Sequence, residues 1–165
     1  MQDNLLFNNI IISDTTCLIH FKNINKLDLL KDLFRNITIT PEIEDEYNKG
    51  SKDKLPEWVQ IKKVNNTDII KKVQEEGRIH FGEATAIALA IETKRSLLII
   101  DDFNGREYAY KSGLMMTGTF GIVKLAREEN IIKTDKEANI IFKKLKDDNF
   151  RISDKLMDDF TYEEH

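Results

Sequence analysis

Cysteine is almost absent from this sequence: Cys17 is the only one in 165 residues, so no intrachain disulfide can form. Its place in the apolar run Cys17-Leu18-Ile19 reads as a small core residue, and a chain without disulfides is expected to be intracellular and cytoplasmic. Proline and glycine are scarce, two and seven, which leaves little room for irregular loops and implies mostly regular structure. There is no internal repeat and no low-complexity linker. Long apolar runs are missing too, and residues 1–9 are polar apart from Leu5, Leu6 and Phe7. Neither a signal peptide nor a membrane span is therefore expected. Basic residues do not predominate: Lys and Arg number 25 against 29 Asp and Glu, a net charge of −4. That balance argues against long electropositive tracking of a nucleic acid, though a local basic patch stays compatible with it. No HExxH, paired CxxC or histidine cluster offers a zinc site.

What is present suits one globular domain over residues 1–165, since 41% of the residues are hydrophobic and can supply a core. Short β-rich runs occur at Ile10–Ser13, Ile37–Thr40, Trp58–Val64, Ser96–Asp101 and Leu114–Thr117, with helical patterns between them. This alternation predicts an α/β sandwich around a mainly parallel sheet covered on both faces. In "TITPEIEDEYNKG", Thr40 suits the cap, Pro41 the first helical position and Gly50 the stop. In "FGEATAIALAIETK", Ala84, Ile87, Ala88 and Ile91 follow the spacing of a helix packed on one side, and Leu27, Leu30 and Phe34 repeat it in "KLDLLKDLF". "SKDKLPE", residues 51–57, reads as an exposed loop. From Asp135 onward the pattern is helical and charged, ending in "MDDFTYEEH", which reads as a closing helix with a frayed end.

The position of the acids matters more than their number. In an open α/β sheet, ligands bind beyond the carboxyl ends of the strands, near the point where strand order reverses. Asp14 ends the all-apolar first strand, where an unpaired buried charge is costly, so it must cap something or hold something. "SLLIIDD" places Asp101 and Asp102 at the end of another apolar strand. Glu83 falls in the first turn of the Ala-rich helix, and Glu42 and Glu46 share a face one turn apart. Carboxylates gathered at one edge repel unless protons or cations neutralise them, and Mg2+ or Mn2+ suits an all-oxygen site. Taken singly, each acid has a plain structural role: Asp14 and Asp102 as helix caps, Glu83 as a first-turn acid favoured by the helix dipole, Glu42 or Glu46 as a solvated residue. It is their convergence on one edge that points to a site.

These motifs, "SDTTCLIHF", "TPEIEDEY", "GEATAIALA" and "LLIIDDFNGREYAYKSGLMMTGTFGIV", occur in order over about residues 9–130. Together they resemble a PIN domain, in particular the compact prokaryotic branch related to VapC-type toxin ribonucleases. "NFRISDKLMDDF" resembles that branch's closing helix, so C-terminal helices are expected over about residues 134–160. The resemblance implies a three-layer α/β/α fold and metal-dependent hydrolysis of RNA. Its acids fall on Asp14, Glu46 (rather than Glu42), Glu83 and Asp101, with Asp102 a neighbour that can share the role. Asp14 and Asp101 would be direct ligands of one or two Mg2+ or Mn2+ ions. Glu83 would complete the shell directly or through water, and Glu46 would do so or position the attacking water. Metal-activated water needs no ribose 2′-hydroxyl, so products would carry 5′-phosphate and 3′-hydroxyl ends. A small hydroxyl residue follows the first acid, here Thr15. Cys17 stands where many members have proline. A toxin role would add a small antitoxin partner and commonly a homodimer.

Arg106 lies one turn beyond the strand-end acids, where it can pair with a substrate phosphate or form a salt bridge. Thr117, Gly118 and Thr119 can contact phosphate, brace a ligand carboxylate, or merely cap a helix. His20 reads as a half-buried packing residue rather than a general base. Three rivals to a toxin nuclease remain: a housekeeping RNA-processing nuclease, a PIN-like binding module without catalysis, and a receiver-type phosphoacceptor domain. The last wants an acidic pair on the first strand and a strand-end lysine, neither of which is present.

Overall fold

The structure, a computed structural model, describes residues 9–151. The chain alternates strand and helix as follows: β1 (Ile10–Ser13), α1 (Thr15–Asn23), α2 (Leu27–Phe34), β2 (Ile37–Ile39), α3 (Pro41–Gly50), β3 (Val59–Ile61), α4 (Thr67–Gly77), α5 (Phe81–Glu92), β4 (Ser96–Ile99), α6 (Phe103–Lys111), β5 (Met115–Thr117), α7 (Thr119–Glu128) and α8 (Asp135–Asp147). The five strands form one sheet in the order β3-β2-β1-β4-β5, and every pairing is parallel. This is the three-layer α/β/α sandwich the alternation implies. The order also disposes of the receiver reading, whose flavodoxin-like sheet runs 2-1-3-4-5.

The central strands carry no polar face because both sides are covered. Ile11, Ile12, Leu98 and Ile99 are buried. Helix α5 lies on β1 and β4 with α3, α4 and α6 beside it, while α2 packs on β2, α7 on β5, and α8 on α7. Cys17 is a free, fully buried core residue, as its apolar setting implies.

Local signals set most boundaries. Thr40 caps α3 by accepting from the Ile43 N–H at 3.3 Å, with Pro41 in the first helical position. Two expectations need correction. The third strand stops at Ile61 instead of running to Val64, because its partner β2 ends at Ile39, where Thr40 turns to cap α3. Helix α5 is not one-sided: Ala84, Thr85, Ala86, Ile87, Ala88, Leu89 and Ala90 are all buried, whereas Ile91 is exposed. Its small side chains let neighbours close in from every side, so periodicity alone marks no buried face. Residues 51–57 form the expected loop. The tail "MDDFTYEEH" lies outside the described residues. Among the described residues, no helix is long and apolar enough to cross a membrane.

Candidate active site

Strand order reverses direction between β1 and β4, so the crevice beyond their carboxyl ends is where a ligand site is expected. Ser13 pairs with Ile99 across these two strands, and the Asp14 N–H donates to the Ile99 carbonyl at 3.1 Å. Asp14 and the Ile100-Asp101 segment therefore leave the sheet side by side.

Asp14 both caps and stands ready to hold. One carboxylate oxygen, Oδ1, accepts from the Cys17 N–H at 3.3 Å and caps α1. The other, Oδ2, is buried without a hydrogen-bond partner among the described residues, and the residue is only 1% exposed. Burial pushes its carboxyl well above the ordinary range; the Asp101 charge and, more weakly, Glu83 push it the same way, against the opposing backbone N–H groups of Cys17 and Asp101.

Asp101 is fixed by a single residue. The Thr119 N–H donates to its Oδ1 at 2.8 Å and the Thr119 hydroxyl to its Oδ2 at 2.5 Å. Of the readings open for the 117–119 turn, bracing of a carboxylate describes Thr119, while Gly118 is the N-cap of α7. A Cβ on Gly118 would come within 2.6 Å of Asp101 Oδ1 and 3.0 Å of Arg106 Nη1, so a side chain there would push on the carboxylate that Thr119 holds. Thr117 packs its hydroxyl against Gly121. Arg106 Nη1 donates to the Ile100 carbonyl at 2.9 Å and ties α6 to the end of β4.

The two glutamates meet on the other side of Asp14. Glu46, exposed on α3, accepts from the Thr15 hydroxyl at 2.6 Å and lies over Gly82. Glu83 has a buried Oε2 without a partner among the described residues. Its pKa is raised to about 7, first by desolvation, then by Asp102 and Glu46, with His80 opposing. Asp102 also caps α6, its Oδ2 accepting from the Gly105 N–H at 2.9 Å. A buried Thr40–Thr85 hydroxyl bond of 2.7 Å joins the start of α3 to α5, and Thr85 also donates to the Gly82 carbonyl at 2.6 Å. This link holds the two glutamate-bearing helices in register, and nothing in the sequence pattern announced it. Glu42 was set aside in favour of Glu46, yet its Oε2 is also buried without a partner among the described residues. His20 is occupied elsewhere, with Nδ1 3.0 Å from Asp148 Oδ2 and its ring edge-on to Phe150.

Repulsion thus links Asp101 to Asp14, Asp14 to Glu83, and Glu83 to Asp102 and Glu46. Among the described residues, no three His, Cys, Asp or Glu side chains are grouped so as to hold a metal ion as they stand. The donor chemistry nevertheless fits a hard divalent cation, because the unpartnered Asp14 Oδ2 beside the Asp101 charge and the unpartnered Glu83 Oε2 are hard oxygens short of counter-charge.

The protonation balance gives a testable sign. Folded Asp14 and Glu83 keep protons that the unfolded chain releases at ordinary carboxylate pKa values. The Glu83 contribution to stability is full below about pH 4.5 and is lost as pH rises through about 7, and the raised Asp14 carboxyl adds a loss of the same sign. In EDTA, the melting temperature should fall across this window, and it should fall less steeply in Glu83→Gln or with Mn2+ present. A slope that is the same in wild type and Glu83→Gln would remove Glu83 from the coupled set.

The chain is thus a five-stranded parallel α/β sandwich with one buried carboxylate, Asp14, and further acids around its switch point. The sequence model of the PIN-domain family matches residues 10–163, and the chain belongs to that family. Its fold is accordingly of the nuclease type. No curated protein matches the chain.

Proposed function

We propose that this protein is a Mg2+- or Mn2+-dependent endoribonuclease, acting in the cytoplasm as the toxin of a toxin–antitoxin pair. The observation that carries the reading is Asp14: a buried carboxylate at the switch point, with one oxygen capping α1 and the other unpartnered beside the Asp101 charge. Asp14 and Asp101 would hold the ion, with Glu83, Glu46 and Asp102 completing its surroundings directly or through water. Once bound, the ion supplies counter-charge and the acidity that activates water against phosphorus. Thr119 keeps both Asp101 oxygens oriented, and the Thr15 hydroxyl holds one oxygen of Glu46, Oε2. Glu46 orients the attacking water by accepting its hydrogen bond. In the metal-free protein the Glu83 carboxyl has a pKa of about 7, so binding of the ion beside it would release a proton near neutrality.

Phosphate contacts fall to Thr117 and to the Arg106 N–H groups other than the one held by Ile100. The Thr119 amide and hydroxyl are engaged by Asp101, so Thr119 acts on substrate through that carboxylate. The acidic edge would be covered by a cationic arm of a small antitoxin protein, and the active form would be a homodimer. Incubation of the full chain with a structured RNA and Mn2+, Mg2+ or EDTA tests the core of this reading. Cutting that EDTA stops and that leaves 5′-phosphate ends is expected. No cutting, together with no rise in melting temperature on adding Mn2+, would make the chain a binding module instead. Growth arrest on expression of wild type, absent with Asp14→Asn, separates a toxin from a housekeeping nuclease.

A further inference from the structure

Two aromatic side chains are exposed at the starts of helices that carry acids of the site. Phe81 opens α5 and is 51% exposed; Phe103 opens α6 and is 78% exposed. Glu83 lies two residues beyond Phe81, and Asp101 and Asp102 immediately precede Phe103. The two segments are tied together. Asn104 Nδ2 donates to the Arg78 carbonyl at 3.3 Å, joining the residue after Phe103 to the turn that leads into α5. Helices α5 and α6 also pack on each other, so both rings belong to one rim. A single exposed apolar residue is ordinary. A pair of phenylalanines at the starts of the two helices that carry acids of the site is a different matter.

Electrostatics sharpens the point. A nucleic acid approaching this edge meets a row of carboxylates on a chain of net charge −4. One N–H of the nearby Arg106 is already held by the Ile100 carbonyl. Phosphate contacts are therefore poorly placed to supply most of the affinity, and a non-ionic contact has to supply more of it. Bases stacked on aromatic rings give such a contact, and they are free to stack only where they are unpaired.

We propose that Phe81 and Phe103 are stacking platforms for the bases flanking the phosphodiester at this site. The proposal rests on the nuclease reading of the same site, but its test separates the two. Both rings are solvent-exposed, so their removal should leave the fold intact.

The first measurement is binding, with full-length Asp14→Asn protein in Mg2+ and a single-stranded RNA of about 12 nucleotides carrying 2-aminopurine at each position in turn. Fluorescence should be quenched at two or more positions, and Phe81→Ala or Phe103→Ala should each abolish part of the quenching. Phe103→Tyr should preserve it. In the cleavage-competent chain, each alanine variant should raise KM about ten-fold with kcat little changed. Ile140→Ala, which removes an exposed apolar residue of α8, should change nothing. Annealing a complementary strand should weaken wild type far more than the double alanine variant. Cleavage by wild type with unchanged KM and quenching in the variants would overturn the platform and leave the nuclease standing. Quenching without cleavage by wild type would support the platform and sink the nuclease. Conversion of a dimer to a monomer by the alanine variants, seen in sedimentation, would assign the rings to an interface between copies and overturn the proposal.

Discussion

Asp14→Asn should abolish RNA cleavage while raising the melting temperature of the metal-free protein. The two effects have one origin. Asn keeps an oxygen at the Oδ1 position, so the cap on the Cys17 N–H survives. It removes a charge that is desolvated and repelled by Asp101 and Glu83. Relief of about 1 kcal/mol would raise the midpoint by about 2–4 °C in a chain of this size. Activity should fall at least about 100-fold, the order seen when a group stabilising developing charge is deleted. Asp14→Ala should be equally inactive but less stable than Asp14→Asn by about 1 kcal/mol, because it also loses the cap. Mn2+ should stabilise wild type and leave both variants unmoved. Cleavage by Asp14→Asn within a few-fold of wild type would remove Asp14 from the chemistry. A lower melting temperature for Asp14→Asn than for wild type at neutral pH would make its carboxylate a structural group.

Much of this edge was legible because strand-end position is a local signal. An apolar run followed at once by an acid marks both β1–Asp14 and β4–Asp101, and the bounds of β1 match residue for residue. Thr40 and Pro41 likewise announce α3, since capping depends on residues adjacent in the chain. What could not be read was partnership across long separations. Thr15 meets Glu46 over 31 positions, Thr119 meets Asp101 over 18, and Thr40 meets Thr85 over 45. Hydroxyl residues are common and carry no periodicity that names a partner. Asp102 shows a related limit, for the same residue at the same place serves as cap and as neighbouring charge. The carbonyl that Arg106 holds appears only once β4 turns into α6. The all-round burial of α5 was hidden for a different reason. A helix built largely of alanine reads as one-sided or as fully enclosed with equal ease, and only its neighbours decide.

Gly82 is the residue whose substitution should separate stability from activity most cleanly. A Cβ at this position would lie 2.6 Å from Glu46 Cδ and 2.7 Å from Oε2, and closer still to Oε1. All three atoms are the far end of a flexible side chain on an exposed residue, so Gly82→Ala can be accommodated by turning Glu46 into solvent. Nothing in the core need shift, and alanine within α5 is favoured over glycine by up to about 1 kcal/mol. The melting temperature should therefore hold or rise slightly. Cleavage should fall about 10- to 100-fold, because the displaced Glu46 leaves Thr15 and the acidic edge. If the glycine acts only by making room for Glu46, its effect must vanish where Glu46 is already gone. Glu46→Ala and the double variant Glu46→Ala/Gly82→Ala should then cleave at the same rate, a strong departure from additivity between touching residues. A double variant clearly slower than Glu46→Ala would mean that the bare backbone at Gly82 serves the substrate directly. In that case the close approach of α5 to the acidic edge, rather than the placement of Glu46, is what this glycine provides.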